Sequence, residues 1–346
     1  MNAHALPHPP LTRVDYWRAS PQAEDLAPGY KEWSHFSVLA PDFDLIFNLS
    51  FVRDAHSNSA TARLLVLFGD DQDRWDGEFA AIALKDVRIS PGSSDATLGP
   101  ASARLAGGRY RIEADLPKRD LYLAFDLEPQ ARALAGNAIR LSDDDRLNWV
   151  VAPHLRATGE VRSGGRRYVA HNAPAYHDRN WGQFVWGGDY TWEWATLVPD
   201  DETAPALVYS RMANRARGVT LSQSLILWRD GRLRRRFYGR DLTVTSSGAL
   251  RPQQVFRLPR FTGLIGSGRA ADVPRHLSVA ARGYGETLDL EIELERFGQV
   301  VAPNDQWPGL TALSEAGGRF RAEGLLDGKP VSFAGRVQVE FKHAAT

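Results

Sequence analysis

The 346-residue sequence has no cysteine, which removes disulfides, thiolate catalysis, zinc fingers and iron–sulfur clusters together. Lysine is scarce: Lys31, Lys85, Lys118, Lys329 and Lys342 are the whole set, and arginine supplies the remaining basic charge. Forty-two basic side chains meet forty-two acidic ones, so no net field favours nucleic acid as a partner. No segment stays apolar for the roughly 20 residues that a helical membrane span needs, and residues 1–17 lack a basic stretch followed by an apolar core. These absences predict a cytoplasmic chain stabilised by packing, with a peripheral membrane contact left open and the oligomeric state undetermined.

What is present is a recurring pattern of short apolar or alternating runs separated by turns rich in Asp, Gly, Asn and Pro. LIFNLSFV (45–52), ARLLVLFG (62–69), RYRIEADL (109–116) and LYLAFDL (121–127) are followed by ALVYSRM (206–212), SLILW (224–228) and VSFAGRVQVEF (331–341). Asp230-Gly231 and Asp327-Gly328 sit between such runs as tight hairpin turns. In LDLEIELERF the alternation puts Leu288, Leu290, Ile292 and Leu294 on one face and Asp289, Glu291, Glu293 and Glu295 on the other, as in a half-solvated strand. The pattern predicts an all-β chain with few helices.

A length of 346 residues suits two domains. An opening theme also occurs twice, as KEWSHFSVLAPDFDLIFNLSFVRD (31–54) and YTWEWATLVPDDETAPALVYSRMANR (190–215). Each reads as a tryptophan-bearing strand, an acidic Pro-Asp turn and a second strand. The expectation is two similar antiparallel barrel or sandwich halves in tandem, residues 1–180 and 181–346. Closed antiparallel barrels remove sheet edges and can hold one ligand inside.

Functional-looking residues are densest in APAYHDRNWGQFVWGGDYTWEW (173–194), which holds Tyr176, His177, Asp178, Arg179, Asn180 and four of the ten tryptophans. AYHDRNWG within it resembles the Gly-Tyr-His-Asp-His-Asn-Trp-Gly box of the carotenoid 1,2-hydratase (hydroxyneurosporene synthase) family and its lipocalin-like relatives. Glu32-Trp33 resembles that family's Glu-Trp-Trp opening, and the closing AEGLLDGKPVSFAGRVQVEF (322–341) resembles its last hairpin. This chain departs from the pattern at Ala175 for the glycine, Arg179 for the second histidine and Ser34 for the second tryptophan. The resemblance implies two lipocalin-like halves and cofactor-free chemistry on a hydrophobic, polyene-like small molecule. Hydration of an isoprenoid double bond is the family's reaction, and relatives cyclise polyenes or catalyse cycloadditions.

Hydration of an alkene begins with protonation to a carbocation, which calls for an acid, aromatic faces and a placed water. Asp178 is the candidate acid and Tyr176 its hydrogen-bond partner. Trp33, Trp181, Trp186, Asn180 and His177 are the candidate substrate contacts. Burial among tryptophans would raise the pKa of Asp178, whereas the plainer reading makes it a structural carboxylate held by backbone amides or by Arg179. His177 alternates with Tyr176 and Asp178 and so faces the other way if those two face the substrate, which suits a packing or orienting role.

Adjacent His177 and Asp178 diverge on a strand and no third ligand has a recognisable spacing, so no metal is expected. RLRRRFYGR (232–240) reads as a solvated hairpin strand, with an anionic lipid surface as the alternative. Asp143, Asp144 and Asp145 read as a surface turn. The glycine-rich stretch 260–274 reads as a loop, because no strand–loop–helix context supports a nucleotide site. A non-catalytic carrier of a hydrophobic metabolite is the competing function.

Overall fold

A computed structural model of the chain describes residues 11–21, 26–54, 59–141, 145–250, 255–260, 273–305 and 309–345. Ser142, Asp143, Asp144 and the glycine-rich residues 261–272 lie outside them. Among the described residues the only helical segments are four short 3₁₀ turns, at Leu11–Arg13, Leu84–Asp86, Pro117–Arg119 and Gly239–Asp241.

Twelve strands lie in the first part of the chain: β1 (Tyr30–Leu39), β2 (Phe43–Arg53), β3 (Ala60–Asp70), β4 (Trp75–Ile82), β5 (Val87–Ile89), β6 (Ala96–Leu98), β7 (Ala101–Ala106), β8 (Arg109–Leu116), β9 (Leu121–Pro129), β10 (Leu134–Arg140), β11 (Arg146–Ser163) and β12 (Arg166–Gln183). Ten follow: β13 (Thr191–Pro199), β14 (Ala206–Ala213), β15 (Thr220–Arg229), β16 (Arg232–Tyr238), β17 (Leu242–Ser247), β18 (Val255–Leu258), β19 (His276–Gly283), β20 (Glu286–Pro303), β21 (Leu310–Leu326) and β22 (Lys329–Ala345).

The first sheet has the order β4-β3-β2-β1-β12-β11-β9-β8-β7-β6-β5, with β10 on β11. The second has β16-β15-β14-β13-β22-β21-β20-β19-β17, with β18 parallel on β20. In both, the opening strand pairs with the closing one, β1 with β12 and β13 with β22. The repeated opening theme is thus the first hairpin of each sheet.

Each sheet curls around its own core. Val66 near one end of the first sheet and Ile89 at the other belong to one apolar cluster, and Leu225, Phe237, Leu242 and Val279 are likewise joined in the second. Leu288, Leu290, Ile292 and Leu294 are buried in that second core while their acidic neighbours face outward. Asp230 and Gly231 both have positive φ, 52° and 68°, the conformation that a two-residue hairpin joining β15 to β16 requires. Arg232–Tyr238 is the second sheet's edge strand, where charged side chains discourage pairing with another chain.

The halves dock through further apolar clusters that mix their residues. Trp149, Val151 and Tyr176 of the first meet Val208, Ile226 and Trp228 of the second, and Ile46, Leu65 and Leu67 meet Leu258 and Val300. A charged clamp closes the same seam. Asp44 on β2 accepts from Arg296 Nη2 on β20 and from Arg336 Nη2 on β22, each at 2.6 Å. Gly317 leaves room for it, since a Cβ there would lie 2.6 Å from Asp44 Oδ2.

Removing one member of a buried ion cluster strands its partners. Both guanidinium groups keep some exposure, so Asp44→Ala should cost about 2–3 kcal/mol, toward the lower end for such pairs. Chemical denaturation checks this. An unchanged midpoint would show that apolar contacts alone hold the seam.

Candidate functional site

The box found in the sequence lies on β12, and strand alternation divides its side chains between two environments. Tyr176, Asp178 and Asn180 face the seam between the halves and line a cavity there. His177, Arg179 and Trp181 face the other way. His177 Nδ1 lies 2.9 Å from the His35 carbonyl, its Nε2 lies 3.1 Å from Asp15 Oδ2, and its ring stacks on Phe36 at 4.1 Å. Arg179 donates through Nε to Asp15 and lies over the Trp17 ring at 4.4 Å. Burial opposes the charge on Asp15, but Arg179 and His177 outweigh it and hold the carboxyl well below its usual range. Arg18 packs over Trp181 at 3.3 Å.

The candidate contacts His177 and Trp181 are therefore corrected: neither lines the cavity, because a period of two cannot turn residues 177 and 181 to the face that 176, 178 and 180 occupy. Arg179 is spent on Asp15, so it is not the partner of Asp178.

Two adjoining pockets, an inner and an outer lobe, share part of their walls. The inner one is bordered by Trp33, His35, Tyr176, Asp178 and Asn180 from the first half. Trp192, Trp194, Thr196, Glu315, Gln338 and Glu340 border it from the second. The outer one takes Trp186 into its wall with Phe79, Val300 and Leu313. Trp33, Trp192, Glu315 and Glu340 border both. Trp33 and Trp186 pack together at 6.4 Å, and Trp186 and Trp192 at 5.7 Å.

Asp178 is buried and held from both sides. Tyr176 donates its hydroxyl to Oδ2 at 2.7 Å, Asn180 donates its amide to Oδ1, and Trp194 Nε1 donates to the Tyr176 oxygen at 2.6 Å. Burial pushes the Asp178 pKa up to about 8; the Tyr176 and Asn180 bonds oppose the rise and the charge of Glu340 adds to it. The group is thus a neutral carboxylic acid at pH 7.

Opposite it stands an acidic pair. Glu315 and Glu340 are cross-strand neighbours on β21 and β22. Trp192 Nε1 donates to Glu340 at 2.6 Å, and Gln338 Nε2 donates to Glu315 at 2.8 Å. Burial, followed by the charge of Glu340, pushes Glu315 well above the carboxylate range, and burial raises Glu340. Two carboxylates in contact inside an apolar chamber do not both ionise, so the pair holds a proton. Burial, helped by His177, lowers His35 to about 3 and leaves its ring neutral. Gln338 Oε1 and Thr196 Oγ1 are buried without a hydrogen-bond partner.

His35, Glu315 and Glu340 bring three ligand atoms within 4.8 Å of one another. They are the residues that could hold a metal among those described. This cluster, together with Gln338 and Thr196, escapes a reading of the sequence because its members come from strands far apart in the chain. Glu340 carried a weak signal, an acid inside the apolar run VQVEF.

The fold is shared with known structures. No family model matches the chain, and no curated protein matches it. A protein assigned as AttH (NE1406) from Nitrosomonas europaea is 16% identical over 95% of this chain and 100% of its own, with a TM-score of 0.64. Kievitone hydratase from Nectria haematococca is 11% identical over 93% of this chain and 92% of its own, at 0.60. CghA is 15% identical over 93% and 90%, at 0.63.

Between about pH 4 and 8 the folded chain keeps a proton on Asp178 that the unfolded chain has released. Stability from this group therefore falls as pH rises through that window, by up to about 1.4 kcal/mol per pH unit. Asp178→Asn removes the titration. Its melting temperature relative to the parent should rise from pH 5 to pH 8, and a pH-independent difference would show that Asp178 is ionised in the fold.

The chain and these proteins share one architecture along nearly their whole lengths, two antiparallel β halves meeting at a seam, and at such identities the likeness is one of fold.

Proposed function

We propose that this protein is a cofactor-independent enzyme that protonates a double bond of a hydrophobic isoprenoid or polyene small molecule in the seam cavity, then completes hydration or cyclisation. The observation that carries the reading is Asp178, a buried acid that keeps its proton at neutral pH within a tryptophan-lined cavity. The two halves, residues 1–180 and 181–346, each supply one wall.

In the proposed reaction Asp178 gives its proton to one alkene carbon, and the new C–H bond leaves a cation on the other. The faces of Trp33 and Trp192, which border the same lobe as Asp178, stabilise that cation. For hydration, a water oxygen bonds to it and releases a proton to the Asp178 carboxylate, restoring the acid. For cyclisation, a second double bond of the same molecule forms the new C–C bond, and the carbon next to the resulting cation gives its proton to the Asp178 carboxylate, restoring the acid. Tyr176 and Asn180 position the acid in either case. One protein that shares the fold, kievitone hydratase, is a hydratase, which supports this class of reaction.

The test starts from apolar material extracted from the purified protein and incubated with fresh protein. A gain of one water in mass indicates hydration, an isomer of equal mass indicates cyclisation, and recovery unchanged indicates a carrier. Asp178→Asn should lower turnover by roughly 100-fold or more while the protein stays folded, the usual contribution of positioned proton transfer. Normal turnover in that variant would remove the acid.

The pair Glu315–Glu340 is proposed to hold a proton rather than a metal, since Gln338 and Trp192 already donate to it. Activity should survive exhaustive chelation. Loss on chelation with recovery on one added metal would make His35, Glu315 and Glu340 a metal centre.

A further inference from the structure

The outer lobe contains a cation that has no hydrogen bond or ion pair among the described residues and feels only the charges of Asp305 and Asp54 from beyond ion-pair distance. Its first-half wall is the outer face of β1 to β4, where Trp33 pairs with Ser50 and Ser50 pairs with Arg63 across adjacent strands. Asn48, two residues along β2 on the same face, borders the lobe beside them. Lys31 also lines it, but its charge is met: Nζ lies 2.8 Å from Asp305 Oδ2 and donates to the Phe184 carbonyl at 2.6 Å. Arg63 is half-buried. Among the described residues its guanidinium has neither a hydrogen bond nor an ion pair.

The second half shows that the shared framework does not require this arginine. Aligning Glu32-Trp33 of β1 with Glu193-Trp194 of β13 makes Ser210 the counterpart of Ser50, since each pairs with the tryptophan. The counterpart of Arg63 is then Ser224. There the two serines simply hydrogen-bond to each other at 2.9 Å. Arg63 thus adds five donors and a positive charge to one lobe, among apolar walls of Leu65, Phe79, Val300 and Leu313. A half-desolvated guanidinium is costly unless an anion faces it, and a carboxylate fits its fork with two parallel bonds.

We infer that the ligand of this cavity carries a carboxylate head, bound by Arg63 with Asn48 and Ser50 in the outer lobe, and an unsaturated apolar body that reaches past Trp33 and Trp192 to the inner lobe. The inference rests on the proposed cavity reading and names its substrate class: long unsaturated carboxylic acids rather than neutral hydrocarbons.

The experiment compares cis-parinaric acid, a polyene acid, with its methyl ester, following energy transfer from tryptophan on the full-length protein. The acid should bind more tightly than the ester. Arg63→Gln should weaken acid binding by about 10- to 100-fold, the range of a charge-assisted pair, and leave the ester unchanged. Arg63→Lys, which keeps the charge but not the fork, should fall between and serves if the glutamine variant folds poorly. Leu313→Trp, which fills the lobe from the wall of the second half, should weaken both ligands and so place them there. Equal binding of acid and ester that Arg63→Gln does not alter would overturn the head-group inference and leave the apolar cavity standing. Failure of both ligands to bind would overturn the cavity reading and the inference with it.

Discussion

Everything in the site follows from one constraint, the two-residue repeat of β12 held between β1 and β11. One face of that strand looks into the first half's core and the other into the seam. The box therefore does two jobs. His177 and Arg179 close the barrel by binding Asp15, while Tyr176, Asp178 and Asn180 reach the cavity. A one-residue slip would exchange the two sets, placing a guanidinium in the seam and the acid in the barrel. The nine residue pairs that join β1 to β12 and the long β11–β12 ladder oppose that slip.

The same division explains why acids survive in the seam. Each carboxyl that lines the inner lobe has lost its water and is held by a neutral donor rather than by a cation: Asp178 by Tyr176 and Asn180, Glu315 by Gln338, Glu340 by Trp192. Neutral donors stabilise a carboxylate less than a guanidinium does, and the protonated form wins. Asp15, bound on the opposite face of β12, is the contrast. It is equally buried, yet Arg179 and His177 keep it ionised. The chain thus keeps an acid on one face of β12 and an anion on the other, and the nearest partner decides which.

Much of this was legible in the sequence. Alternation in 288–295, the Asp-Gly turns and the doubled opening theme sufficed for an all-β reading in two similar sheets, because strand period and turn chemistry are local. The box was legible for the same reason, and so was the opposition of residues 176 and 178 to 177. What could not be read was which tryptophans meet the cavity. Trp181 and Trp186 look alike in the sequence, but Trp181 continues β12 on its barrel-side face under Arg18, whereas Trp186 lies past the strand's end against Trp33 and Trp192. His35, Glu315, Gln338, Glu340 and Arg63 were invisible as a group, since only the docking of two sheets brings them to one seam.

The docking of two similar sheets also accounts for the site's internal asymmetry. With the two Glu-Trp pairs aligned, His35 and Asp178 of the first half correspond to Thr196 and Gln338 of the second, and Asn180 corresponds to Glu340. Each wall therefore carries one acid and one amide two residues apart on its closing strand, in opposite order. In the first the amide grips the acid of its own strand, whereas in the second Gln338 reaches across to Glu315 and leaves Glu340 to Trp192. The first wall thereby fixes a single acid at one point, and the second spreads a proton over two carboxyls. A doubled framework that differs at these few positions sets one singly held carboxyl opposite a coupled pair of carboxyls, which a symmetric seam of identical walls could not.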